Sequence, residues 1–268
     1  MTTDALPSQR QASGDARRRQ RHALVVLLTF NAGATDAIGF LALGGAFTSV
    51  MTGNLVLFGI SGAKGDGTLA RHILTAVLCF IGGCILGSRL AGVAREDQPI
   101  WPPAVTRALS VEFVIFAGYG IGWWAQGSVP RGIAQLALLG GNAIALGVQS
   151  SSVQRFGVPG LSTTYMTGTL TTLIVRLTSG HRVRDVADSL QILCGLVAGA
   201  IAAAALVLHA PALAPVLQLT AVGGVLLGSL CLSRAERGTI DAYDSSFTGG
   251  EGDRPSADTP AERSASSP

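Results

Sequence analysis

What is scarce in this 268-residue chain decides its class. Only 13% of the residues are charged and 6% are aromatic, against roughly 25% charged in a soluble domain. That shortage excludes an ordinary water-soluble globule. The four cysteines (Cys79, Cys84, Cys194, Cys231) all stand inside apolar runs, which excludes a disulfide framework and a metal knuckle. No His-Glu-x-x-His, Gly-x-Ser-x-Gly or P-loop pattern occurs, and His22, His72, His181 and His209 are scattered near segment ends. An enzyme, a bound metal and a cofactor are therefore not expected. Long basic tracts are missing as well. Arg10, Arg17, Arg18, Arg19 and Arg21 precede the first apolar segment with no aromatic residues between them. That pattern points to a topology determinant facing the cytoplasm and away from nucleic-acid binding.

What is there is apolar and small. Hydrophobic residues make up 48% of the chain, mean hydropathy is +0.45, and 35 glycines occur without a period. Small residues of this kind let transmembrane helix backbones approach closely. The predicted fold class is an all-α, polytopic membrane protein with about eight hydrophobic helices, whose main partner is the lipid bilayer. Apolar segments fall at about 23–45, 47–62, 69–90, 104–125, 132–152, 161–178, 186–209 and 212–232. A span needs about 20 residues, so the second and sixth are short. The polar stretches 1–21 and 236–268 are expected to be disordered tails around a membrane domain at 22–235.

The arginine distribution favours eight crossings with a cytoplasmic N-terminus, six or seven being the alternatives. Eight crossings place Lys64, Arg131, Arg176, Arg182, Arg184, Arg234 and Arg237 inside. The misfit is loop 88–107, whose Arg89, Arg95 and Arg107 then fall outside.

Two halves, about 23–126 and 132–232, read as an internal repeat. Met51-Thr52-Gly53 and Leu78-Cys79 match Met166-Thr167-Gly168 and Leu193-Cys194 in one register. Repeats with polar sites at interrupted helices near the midplane are a recurrent transporter design.

Chemistry concentrates in a few intramembrane polar residues. Asp36 is the most informative, because a carboxylate near the bilayer centre costs about 2.5–3.5 kcal/mol on insertion scales and normally faces a bundle interior or a cavity. It reads either as a proton, cation or solute site or as a carboxyl that locks two helices together. Asn31 precedes it on the same segment. Thr52, Gly53 and Asn54, and in the second half Thr167, Gly168 and Thr169, set hydroxyls beside flexible glycines at membrane depth. Gln149 precedes a break in the second half, and Glu112 is a secondary candidate, read either as a pair with Arg107 or as a relay. Together these residues outline a site for a small polar solute, a proton or another cation. The first functional expectation is a small secondary transporter or permease. The alternative is a non-transporting subunit or sensor in which the same groups only fix helix packing.

Asn31-Ala-Gly-Ala-Thr-Asp36-Ala-Ile-Gly-Phe40 followed by Phe47-Thr-Ser-Val-Met-Thr-Gly-Asn54 resembles the opening signature of the YoaK-like bacterial inner-membrane proteins, a domain family of unknown function. Gly147-Val-Gln149 with Thr163-Thr-Tyr-Met-Thr-Gly168 resembles its second signature. The resemblance covers roughly residues 22–235. It implies a protein of the bacterial cytoplasmic membrane and supplies no substrate.

Overall fold

A computed structural model describes residues 5–92, 101–154, 166–180 and 186–248 of the chain. Among these residues the structure is helical, without a strand. The elements are α1 (Ala5–Ala42), α2 (Met51–Lys64), α3 (Gly67–Ala91), α4 (Pro103–Ala125), α5 (Gly132–Val153), α6 (Met166–Thr178), α7 (Ala187–His209) and α8 (Ala214–Thr248). The chain divides into two units at residues 232 and 233, and the site lies in the first. Arg155, Thr163, Tyr165, Arg182 and Arg184, and the segments 93–100 and 249–268, lie outside the described residues. α1 and α8 run on into the stretches read as polar tails.

Among the described residues six helical stretches are long and apolar enough to cross a membrane: 14–42 of α1, α3, α4, α5, α7 and Pro211–Leu232, which joins a short 3-10 turn to the first part of α8. α2 and α6, with 14 and 13 residues, reach only about 20 Å at 1.5 Å per residue and fall short of a 30 Å hydrocarbon core. The eight helices expected from the sequence are present, and two of them, over the described residues, are shorter than a span.

Side-chain pairings fix the direction of each span. Gln149 meets Leu28 and Asn31, and Gln135 meets Ala42, so α1 and α5 are antiparallel. Thr106 pairs with Ser229 and Trp123 with Pro211, so α4 and α8 are antiparallel. Thr35 meets Gln218, and Gly228 packs on Leu24, so α1 and α8 are antiparallel as well. α7 runs parallel to α1, with His22 on Gln191 at one end and Ala37 beside Ala200 and Ala204 further along. α3 runs parallel to α5. The six spans therefore alternate in direction along the chain.

The two parallel pairs are the tightest in the bundle, and glycine is the reason. A Cβ at Gly33 would run into the Leu196 carbonyl of α7, and one at Gly199 into the Phe30 carbonyl of α1. Gly83 meets the Ile144 carbonyl and Gly147 the Phe80 carbonyl in the same way between α3 and α5. Between these pairs sits a core of Ile38, Phe116, Trp123, Leu139 and Leu146. Outward faces of α2, α3, α6 and α7 carry exposed Leu55, Phe58, Leu78, Ile85, Leu170, Ile174, Val197 and Ile201, as lipid contact requires.

The link between α1 and α2 turns back into the bundle. Asp36 lies six residues, about 9 Å, before the end of α1, yet it holds Thr48 and Ser49. The stretch 43–50 therefore folds back alongside α1 to that depth, and α2 starts from there. Gly44 and Gly45, at φ +100° and +78°, make the reversal, which residues with a Cβ rarely adopt.

Candidate functional site

The first-half motif resolves into two clasps. Asp36 is buried and its Oδ1 accepts from the Thr48 backbone N–H (2.7 Å), the Ser49 backbone N–H (2.7 Å) and the Thr48 hydroxyl (2.9 Å). Its Oδ2 accepts from the Ser49 hydroxyl. Asn54 pairs with both main-chain groups of one residue, accepting from Phe47 N–H at 2.9 Å and donating to Phe47 C=O at 2.7 Å. The Phe47 ring stacks on Phe40 at 5.0 Å. Both side chains thus spend their capacity on the backbone of the turned-back loop. Asp36 also sits just ahead of the first turn of α2, where free N–H groups favour a carboxylate.

The other motif residues scatter. Thr52 is exposed, and Gly53 has only ordinary contacts with Phe47 and Val50. Thr167 and Gly168 are exposed on α6, and nothing lies where a Cβ at Gly168 would point. Thr169 is buried, and its hydroxyl has no partner among the described residues. None of these five joins Asp36.

A different set of candidates does converge. Asn31, Glu112 and Gln149, from α1, α4 and α5, are all buried in the bundle interior. Gln149 Nε2 donates to the Leu28 carbonyl at 3.2 Å, which turns its Oε1 toward Asn31. Asn31 Nδ2 donates to that oxygen at 3.3 Å and to Glu112 Oε1 at 3.4 Å. Glu112 does not pair with Arg107, which is exposed; it points to the interior instead. The relay leaves two oxygens, Asn31 Oδ1 and Glu112 Oε2, without a partner among the described residues.

A second rung lies beside the first. Thr35 donates to the Asn31 carbonyl (2.8 Å) and accepts from Gln218 Nε2 of α8 (2.9 Å), leaving buried Gln218 Oε1 without a partner among the described residues. Tyr119 and Asn142 stand two turns along α4 and α5 from Glu112 and Gln149. The two are neighbours, but neither polar end meets hydrogen-bond geometry. In antiparallel helices, pairs spaced seven residues on each chain form successive rungs. An unpaired buried polar group costs about 1–3 kcal/mol, so a run of them marks a site more than a packing device.

Gln218, Asn142 and Tyr119 are the residues that the motifs did not single out. Their signal was present: Gln218 is the lone amide of its apolar segment, and Asn142 precedes Gln149 by two helical turns.

With this geometry in view, the family is settled by its profile, which matches residues 24–230 under the description "Protein of unknown function (DUF1275)". The chain belongs to the DUF1275 family. Within the family it is similar to the UPF0700 transmembrane protein YoaK of Bacillus subtilis (strain 168), with 36% identity over 155 residues. That match spans 58% of this chain and 66% of the relative, just under two thirds of its length. No solved structure matches. The DUF1275 chain is a multi-pass α-helical membrane protein, and its buried polar column lies among spans that the family match covers.

Proposed function

We propose that this protein is a small secondary transporter or permease of the bacterial inner membrane for a small polar solute or ion. Its translocation site is the Asn31–Glu112–Gln149 cluster. The observation that carries this reading is Glu112: a fully buried carboxyl in mid-bundle whose Oε2 has no donor among the described residues. A carboxyl kept only for packing would end saturated, as Asp36 does.

The arrangement of the helices supports two inverted halves around that site. Gly33 on Leu196 and Phe30 on Gly199 join α1 to α7; Gly147 on Phe80 and Ile144 on Gly83 join α5 to α3. Gly147 and Ile144 each stand 114 positions after Gly33 and Phe30, and Leu196 and Gly199 each stand 116 positions after Phe80 and Gly83. α1 and α5 are antiparallel, so the halves are related by inversion, and alternating access follows by rocking one against the other. This register replaces the Leu78-Cys79 match with one a single residue away.

Six alternating spans also remove the arginine misfit. With a cytoplasmic N-terminus, Arg17, Arg18, Arg19, Arg21, Arg89, Arg107 and Arg176 fall inside, and among the described residues Lys64, Arg71 and Arg131 fall outside.

Saturated Asp36 and Asn54 favour the second reading, a packing role, for those two residues alone. The test is solute- and ion-driven current on reconstituted vesicles. Wild-type protein is expected to pass charge or solute, with Glu112→Gln lowering the rate at least tenfold while remaining monodisperse. Flux unchanged in Glu112→Gln, or absent from the wild type for every solute and ion tried, sinks the transporter reading.

A further inference from the structure

We infer that the polar column binds one alkali-metal cation, held by Glu112 Oε2 and Asn31 Oδ1, with Gln218 Oε1 available a turn along. This rests on the site proposed above and names its occupant.

Three constraints converge. The first is acceptor excess. Every group left over at the two rungs beside Asn31 is an oxygen, and all three belong to fully buried side chains. Their orientation is forced, because the Leu28 carbonyl takes the Gln149 donor, Gln149 takes the Asn31 donor, and Thr35 takes the Gln218 donor. Amide rotation would move an unmet need elsewhere in the chain without removing it.

The second constraint is charge. Asp36, Glu112, His72 and Tyr119 are the buried ionisable side chains among the described residues; Asp36 faces its own loop, and Tyr119, a neutral phenol, supplies no positive charge. No lysine or arginine is buried among the described residues to balance Glu112. A proton on Oε2 cancels its charge but donates once, leaving one of the two amide oxygens unmet. A water donates twice and cancels no charge. A hard monovalent cation does both. A divalent ion would leave a net positive charge beside the one buried carboxylate at these rungs among the described residues, and it takes about six to eight oxygens or keeps several waters.

The third constraint is space. Asn31 touches both Glu112 and Gln149 at 3.3–3.4 Å, so the rung excludes an organic ammonium with a carbon body.

The experiment is thermal unfolding of the purified full chain in detergent at constant ionic strength, in choline, lithium, sodium or potassium chloride. A saturable rise in midpoint of several degrees with at least one alkali ion over choline is expected. Direct binding of radiolabelled ion should give one site per chain. Glu112→Gln should abolish the rise and the binding, and Glu112→Asp, which keeps the charge but shortens the arm, should weaken affinity at least tenfold. Asp66→Asn, an exposed helix cap away from the column, should leave both unchanged. Equal midpoints in all four salts with no bound label overturn the inference, as does binding that survives in Glu112→Gln. A midpoint that answers to pH alone overturns it in favour of a proton. Where Glu112→Gln fails to fold, wild-type binding and Glu112→Asp still decide. Binding without any flux in vesicles keeps the cation site and sinks the transporter reading; flux without alkali binding does the reverse.

Discussion

At the scale of single residues, two intramembrane carboxyls in one bundle have opposite surroundings. Asp36 has four donors on two oxygens; Glu112 has one, at 3.4 Å. Their substitutions should therefore differ in kind. Asp36→Leu leaves the Thr48 and Ser49 N–H groups and two hydroxyls unmet, a loss of about 3–5 kcal/mol for a broken buried network. It should appear as a large drop in unfolding midpoint in detergent. Asp36→Asn keeps an acceptor for the two N–H groups and should cost about 1–2 kcal/mol. Equal midpoints for the two variants would contradict the clasp.

Legibility at this scale was uneven for a physical reason. Asp36 stands out because a charge in an apolar run is rare, but its partners lie 12 and 13 positions on, in a loop whose fold-back no periodicity reveals. Asn31 is joined to Glu112 across 81 positions and to Gln149 across 118. All three could be picked out as polar residues in apolar segments; their meeting depends on helix packing.

At the scale of elements, the glycines divide by face. Gly83 and Gly147 lie where α3 and α5 backbones touch, whereas nothing lies within 4 Å of a Cβ built at Gly82. Gly83→Leu or Gly147→Leu should wedge the pair apart and give aggregated protein on size-exclusion chromatography. Gly82→Leu, one position away, should elute as the wild type does. Overall glycine abundance announced close packing, but not which glycines carry it, because the contact stripe depends on the direction of the neighbour. Short α2 and α6 were legible as breaks in hydropathy. Their failure to span follows from length, and that changed the side assigned to every connection between them.

At the scale of the whole molecule, helix class and span positions could be read from hydropathy, while topology needed the pairings. On a background with the four cysteines replaced, single cysteines at Ser128 and Asp66 should react with an impermeant maleimide from the outer face of intact cells. Those at Gly92 and Ser179 should react only after permeabilisation. Labelling of Gly92 from outside would restore the eight-crossing count. α4 fits the same frame. Trp101 lies just before it and Trp124 in its last turn, about 35 Å apart along a helical rise and close to the depth of a hydrocarbon core. Trp124 donates to the Ala212 carbonyl in the turn before α8.

The pairing of α1 with α7 and of α3 with α5 has one more consequence. Each half keeps its closest neighbour in the other half, so neither can close a core of its own. The turn at 126–131 is then a tether and not a structural joint. Residues 1–126 and 132–268 made as two separate polypeptides should each be degraded when produced alone. Produced together, they should copurify and recover most of the intact chain's thermal midpoint.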